Sequence, residues 1–255
     1  MDIAKKEFKA LLRKPMESVG FTYAGNTFYR HINDVLQTMT LRKTFCTLEL
    51  HFGIFPICIP ISGYLPCGIL YQIAYYEGTH PRPFSHCYDQ ENIHIIMEQG
   101  LDVVFREVIP VFQAGTDSKS AYTTVVEAQK RMFCGTPDGV FWQDASLKWM
   151  ALKNGNYEQA YIHQIAHIAR GMRLIYADTK ITDLLEPKLR KKLETILAED
   201  PAWLVERKEF LHRIIQHDDA YFQELIEKNE RTTLEFLQQA RRSPCKYGKG
   251  DHLLF

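Results

Sequence analysis

FCTLELHFGI, residues 45–54, decides the fold of the first half of this chain. Cys46, Leu48, Leu50, Phe52 and Ile54 alternate with Thr47, Glu49 and His51. A period of two sends the two sets to opposite faces of a strand, whereas a helix would scatter both. Working outward, TFYRHI (27–32) sets Phe28, Arg30 and Ile32 against Thr27, Tyr29 and His31. Asn33-Asp34 has hairpin-turn chemistry, and VLQTMTL (35–41) returns antiparallel. GILYQIAYY (68–76) is a fourth strand candidate beyond a proline-broken loop. Before the strands, residues 3–19 carry a helical stripe of Ile3, Phe8, Leu11, Leu12 and Val19; Pro15 is a possible kink or early stop, and Gly20 suits a left-handed cap. After them, Asp89 precedes a helix through Ile93, Ile96, Met97, Leu101, Val104, Phe105 and Val108 that Pro110 is expected to close. A sheet with one apolar face has to cover it, so residues 1–114 are expected to form an α+β domain, an antiparallel sheet with flanking helices.

From Asp117 onward no strand pattern occurs. Helices are expected at 118–133, 140–153, 156–176, 187–198 and 201–241, the last interrupted at Asp218 and Asn229. Residues 115–241 thus read as an all-α domain, and residues 242–255 as a loose tail. ALKNGNYEQAY (151–161) has the small-residue turn of a tetratricopeptide unit. One copy cannot bury its own face as a repeat array does, so a helical hairpin is the better reading and a helical-repeat scaffold the alternative.

Composition excludes several functions. With 31 basic and 31 acidic residues the net charge is zero, so no global field draws nucleic acid or an anionic membrane. The longest apolar stretch, GIFPICIPISGYLP (53–66), is broken by Pro56, Pro60 and Pro66 and is too short to span a bilayer. The first residues show no secretory pattern, so the cytoplasm is the expected compartment, and the six cysteines, without a C-x-x-C pair, read as reduced thiols. Glycine-rich phosphate cradles and the G-x-S-x-G elbow are missing, and the basic runs at 42–43 and 190–192 are short. No cofactor is implied.

Two histidine clusters need weighing. HQIAH (163–167) is one letter from the zinc-protease signature, but Gln164 cannot act as the base, and Arg170 and Arg173 stand where an extended motif has glycine and histidine. Tyr161, Ile162, Ile165, Ile168, Ala169 and Met172 make an apolar stripe, which leaves His163, His167 and Arg170 on the other side as surface or inter-helix groups. THPRPFSHCYD (79–89) holds His80, His86 and Cys87, to which His94 could add a fourth metal ligand one turn into the next helix. The spacing matches no compact zinc site, and loop packing is the simpler reading.

FKALLRKPMESVGFTYAGNTFYR (8–30) resembles the opening of an uncharacterised bacterial domain family: an initial helix, Gly20-Phe21, a polar gap, then Gly25, Phe28, Tyr29 and Arg30, with a later strand ending at Phe52-Gly53. The likeness covers about the first 110 residues and implies a small α+β domain with no assigned activity. Some families of that general kind act as immunity or antitoxin partners. The expected function is a non-enzymatic protein-binding module of this type. The alternative is a metal-dependent enzyme built on His80, His86 and His94. The expected contact surface is the polar face of the sheet, with Tyr29, His31, Thr38, Thr40, Glu49 and His51 turned outward.

Overall fold

The alternation over 47–54 becomes the middle of a meander. In a computed structural model, which describes residues 3–24, 27–43, 47–61, 65–66, 69–76, 87–88, 91–131, 137–171, 186–198 and 205–240, strands β1 (Thr22–Ala24), β2 (Thr27–Ile32), β3 (Val35–Lys43), β4 (Thr47–Pro56), β5 (Ile69–Tyr76) and β6 (Cys87–Tyr88) lie side by side in chain order. Pairing is antiparallel from β1 to β5, while β6 runs parallel to β5. Asn33, at φ 48°, adopts the left-handed conformation that an Asn-Asp hairpin turn requires. The fold is α+β with a helical C-terminal region.

Register places Phe28, Met39 and Phe52 side by side, and Arg30, Gln37 and Ile54 beside them. This face is closed by α1 (Ile3–Ser18) and α2 (Ile93–Val103), whose Phe8, Leu12, Met16, Ile93, Ile96 and Met97 share one core with Phe28, Met39, Leu41, Leu50 and Phe52. Pro15 sits inside α1 without ending it, and Gly20 closes the helix at φ 87°, with the Phe21 amide reaching back to the Met16 carbonyl. Pro110 does not terminate the second helix either. The chain widens into a π-helical turn over Val104–Val108 and continues as α3 (Ile109–Ala114), with Pro110 in its first turn. The π-helical turn just before it shifts the hydrogen-bond register, which is how a proline is accommodated in a helix that continues.

The chain then turns sharply at Gly115. A Cβ there would lie 2.5 Å from Ile54 Cδ1 and 3.2 Å from Ala121 Cα, so only glycine fits without displacing the core. Asp117 caps α4 (Ser118–Arg131) by accepting the Ser120 and Lys119 amides at 2.8 and 3.0 Å. There follow α5 (Pro137–Lys153), α6 (Tyr157–Gly171), α7 (Pro187–Ala198), α8 (Val205–Ile215) and α9 (Asp219–Ala240). The expected long last helix is two, parted at His217 (φ 53°). Among the described residues no helix is long and apolar enough to cross a membrane.

The helical region packs onto the sheet instead of standing apart. The hairpin turn is the anchor: Asp34 accepts the Ser118 amide at 2.9 Å and the Ser118 hydroxyl at 2.5 Å, and Lys153 lies 3.1 Å from the same carboxylate. Lys153 also pairs with Glu230 of α9. Although burial opposes it, these donors hold the Asp34 carboxyl below its usual range. Further along, Thr233 of α9 receives the Ile61 amide at 3.0 Å and donates at 2.5 Å to the Ile59 carbonyl. The expected tail lies outside the described residues.

Candidate functional site

The polar face of the sheet is not an open surface. Tyr29 is 2% exposed, Thr38 0%, Thr40 1% and His51 1%, whereas His31 alone of the six is exposed and Glu49 is intermediate. Tyr29 belongs to a second core with Leu36, Phe55, Trp149, Leu152, Phe222 and Leu237, contributed by α5 and α9 as well as the sheet. The Thr38 hydroxyl donates to the Pro66 carbonyl, and His51 Nε2 lies 2.9 Å from Glu49 Oε2. The expectation of an outward contact face is therefore corrected. Hydroxyls that find backbone acceptors can be buried cheaply, so period-two alternation marks two faces without saying which one meets water. This face is an internal interface.

Of the second sequence cluster, Cys87 and His94 fall on described residues. His80 and His86 lie outside the described residues. Cys87 is placed in β6, and His94 stands 57% exposed between Glu7 and Glu98, at 3.3 and 3.4 Å. Among the described residues no three histidine, cysteine or carboxylate side chains converge as a metal site would require.

HQIAH lies on a helix buried all round. Every residue from Ile162 to Ala169 is buried, His163 and His167 included, because α6 is enclosed by α4, α5, α7 and α8. The surface half of the earlier reading is wrong, and the inter-helix half holds. His163 Nε2 meets the Tyr122 hydroxyl at 2.9 Å. One residue on, Gln164 Oε1 accepts from Lys148 Nζ at 2.9 Å, and Arg170 Nε donates to Asp144 Oδ2 at 2.5 Å. Lys148 also stacks its ammonium 4.7 Å above the Phe210 ring. Desolvation dominates the electrostatics here. It pulls Lys148 down to about 7, with Arg207 adding to the fall, and pushes Asp144 up to about 6 against the opposing pull of Arg170. His163 drops to about 3 and His167 well below its ordinary value, for the same reason and through the neighbouring cations. Neutral imidazoles ligate zinc well, but these two share their space with Arg170, Lys148 and Arg207, which repel a dication. The arrangement locks helices together and offers no solvent-reachable reacting group.

A pH dependence follows. Neutral burial of His163 and His167 contributes stability that is fully present above about pH 6.5 and is lost as pH falls toward their depressed values, at up to about 1.4 kcal/mol per unit and group. Lys148 acts in the same sense higher up, its contribution being lost as pH falls from about 10.5 through 7. Asp144 opposes them, its contribution being present below about 3.8 and lost as pH rises through 6. Two histidines outweigh one carboxylate, so urea midpoints should fall from pH 8 to pH 5, and His163→Gln should flatten the slope. Midpoints that stay level or rise on acidification contradict this account.

An open site lies at the far end of the same helix. Gly155, at φ 68°, ends α5: the Asn156 amide returns to the Ala151 carbonyl at 2.8 Å, while Asn156 Oδ1 receives the Gln159 amide at the start of α6. This turn, the start of α7 and the α8–α9 break at His217 enclose a surface groove of about 750 Å³. It is lined by Tyr157, Glu158, Tyr161, Arg190, Ile215 and His217, among others. The Tyr157 and His217 rings stack at 4.4 Å and 11°. The Tyr157 hydroxyl donates to Asp219 at 2.5 Å, and Tyr161 to Glu194 at 3.3 Å; burial and these carboxylates raise both phenols above their ordinary value. Arg190 spans Glu158 and Glu194, each at 3.1 Å. Ile215 is 57% exposed at the rim.

None of these groove residues was selected from sequence as a binding site. The visible signals were the turn in ALKNGNYEQAY, read as that of a helical hairpin, and the interruption at Asp218; their meeting depends on how α6, α7 and α8 pack. Comparison with protein-family models, with curated proteins and with solved structures gave no match.

Proposed function

We propose that the chain is a protein-binding module whose contact surface is the groove between the α5–α6 turn, α7 and the α8–α9 break. The observation that carries this reading is the juxtaposition of two tyrosines, a stacked histidine and an exposed isoleucine around one open concavity. Aromatic side chains give large contact area at small entropic cost, and an isoleucine left in water gains by being covered. By contrast, Asp144, Lys148, His163 and His167 are sealed between helices, where no partner reaches them.

The test is a photo-reactive amino acid placed at Ile215, with a control at exposed Lys6 on α1. A defined adduct at Ile215, lost when Tyr157 is changed to alanine and missing at Lys6, is the expected outcome. Equal labelling at both positions, or none at Ile215, refutes the reading.

A further inference from the structure

We propose that the outer side of α1 and α2, away from the groove, docks a second copy of this chain in a weak two-fold dimer. The inner sides of both helices close the sheet, which leaves a two-helix layer facing outward. Its halves carry opposite charge. In α1 five residues are basic and two acidic, a balance of plus three. In α2 and the π-helical turn that extends it, Glu98, Asp102 and Glu107 stand against Arg106, a balance of minus two. The two halves do not neutralise each other at close range. Among the described residues the ion pair that joins the helices is Glu7 with His94, at 3.3 Å, whereas Arg13 pairs with Glu17 and Arg106 with Asp102 inside their own helices. Lys6 and Lys14 are exposed on α1, and the Glu98 and Asp102 side chains are 58% and 68% exposed on α2.

The same layer holds three of the five large apolar side chains exposed among the described residues: Ile3 at 38%, Ile95 at 57% and Phe105 at 37%. Covering them is favourable, and the charge pattern selects what covers them. A partner of one sign is drawn to one helix and repelled by its neighbour, so a nucleic acid or an anionic membrane suits α1 alone. A second copy, turned by half a rotation, lays its α2 over α1 and its α1 over α2. Both charge contacts then form at once, as an interface in which each copy offers the same patch requires. Size sets the strength. At a rise of about 1.5 Å per residue and a diameter of about 10 Å, the two helices present roughly 500 Å² per copy. That is less than the roughly 800 Å² of a standard interface, so a dissociation constant on the order of 10 μM is expected.

Sedimentation velocity of the full chain, from about 1 to about 200 μM, tests this. The mean mass should rise from that of one chain toward that of two. Lys6→Glu with Lys14→Glu, or Glu98→Lys with Asp102→Lys, should each weaken association at least about tenfold, because like charges then meet at both contacts. All four substitutions in one chain exchange the signs of the two helices. That chain should associate with itself again and no longer pair with the unmodified one. Ile95→Ser should weaken the dimer without changing its salt dependence. Ile215→Ser, in the groove, should leave the dimer unaltered, so the two surfaces are tested apart. A cross-linker at Lys6 then captures the chain itself, and that adduct differs in mass from a partner held at Ile215. The mass of one chain at every concentration, or a dimer indifferent to both charge reversals, overturns the proposal. So does a fourfold variant that keeps its helical circular dichroism and stays monomeric.

Discussion

Asp144→Ala is expected to lower the folding free energy by about 3–5 kcal/mol, as breaking one side of a buried ion pair does. Arg170 Nε donates to Asp144 Oδ2 at 2.5 Å, with side-chain exposures of 6% and 0%. Alanine removes the carboxylate and leaves the guanidinium within α6, where water cannot replace it. The penalty comes from the buried charge deprived of this carboxylate more than from the lost attraction, so Asp144→Leu combined with Arg170→Met should recover much of it. The loss should be larger at pH 5 than at pH 8, because the Asp144 carboxyl, pushed up to about 6, contributes stability that is lost as pH rises through that value. Urea unfolding at pH 8 and pH 5 measures all three quantities. A change below about 1 kcal/mol at pH 8 would show that the pair does not hold α5 to α6.

Gln37→Leu is expected to cost about 3 kcal/mol or more, since each buried polar group left without its partner costs about 1–3 kcal/mol. Gln37 is 0% exposed in the middle of β3. Its amide donates to the Phe112 and Gly115 carbonyls at 2.6 and 2.8 Å, holding the end of α3 against the sheet. Its oxygen accepts both Nε and Nη2 of Arg30, at 3.0 and 2.7 Å, while Arg30 Nη1 reaches the Val19 carbonyl. Leucine fits the volume but leaves two carbonyls and the Arg30 Nε and Nη2 groups without their partner. Thermal unfolding gives the size of the effect, and amide exchange locates it: protection at Gly115, whose amide bonds to the Val111 carbonyl, should fall. A variant as stable as the original would mean that water replaces the glutamine.

Local patterns alone determined a good deal of this fold. Alternation over 27–32, 35–41 and 45–54, with an Asn-Asp turn, specifies neighbouring antiparallel strands, because backbone hydrogen bonding and period two are properties of contiguous residues. The same holds for α1 and its Gly20 cap, for the Asn154-Gly155 break and for the loss of strands after Asp117. Element ends were less legible. Pro110 reads as a stop, yet a π-helical turn lets the helix continue, and that adjustment depends on Val104, Val108 and Phe112 being buried in the core.

Only the tertiary structure decided which polar residues face water. His163 and His167 sit opposite an apolar stripe in sequence and are nonetheless enclosed, because their hydrogen-bonding and charged neighbours, Tyr122 and Lys148, come from α4 and α5. Thr38 and Tyr29 are inside for a similar reason, with covering groups from residues 57–61 and 65–66, α5 and α9. The groove is also a meeting of distant parts, Tyr157 with His217 and Glu158 with Arg190. Helix and strand periodicities record what each residue does along its own element. Burial of a polar group depends on a partner arriving from another element, and that pairing belongs to the packed structure.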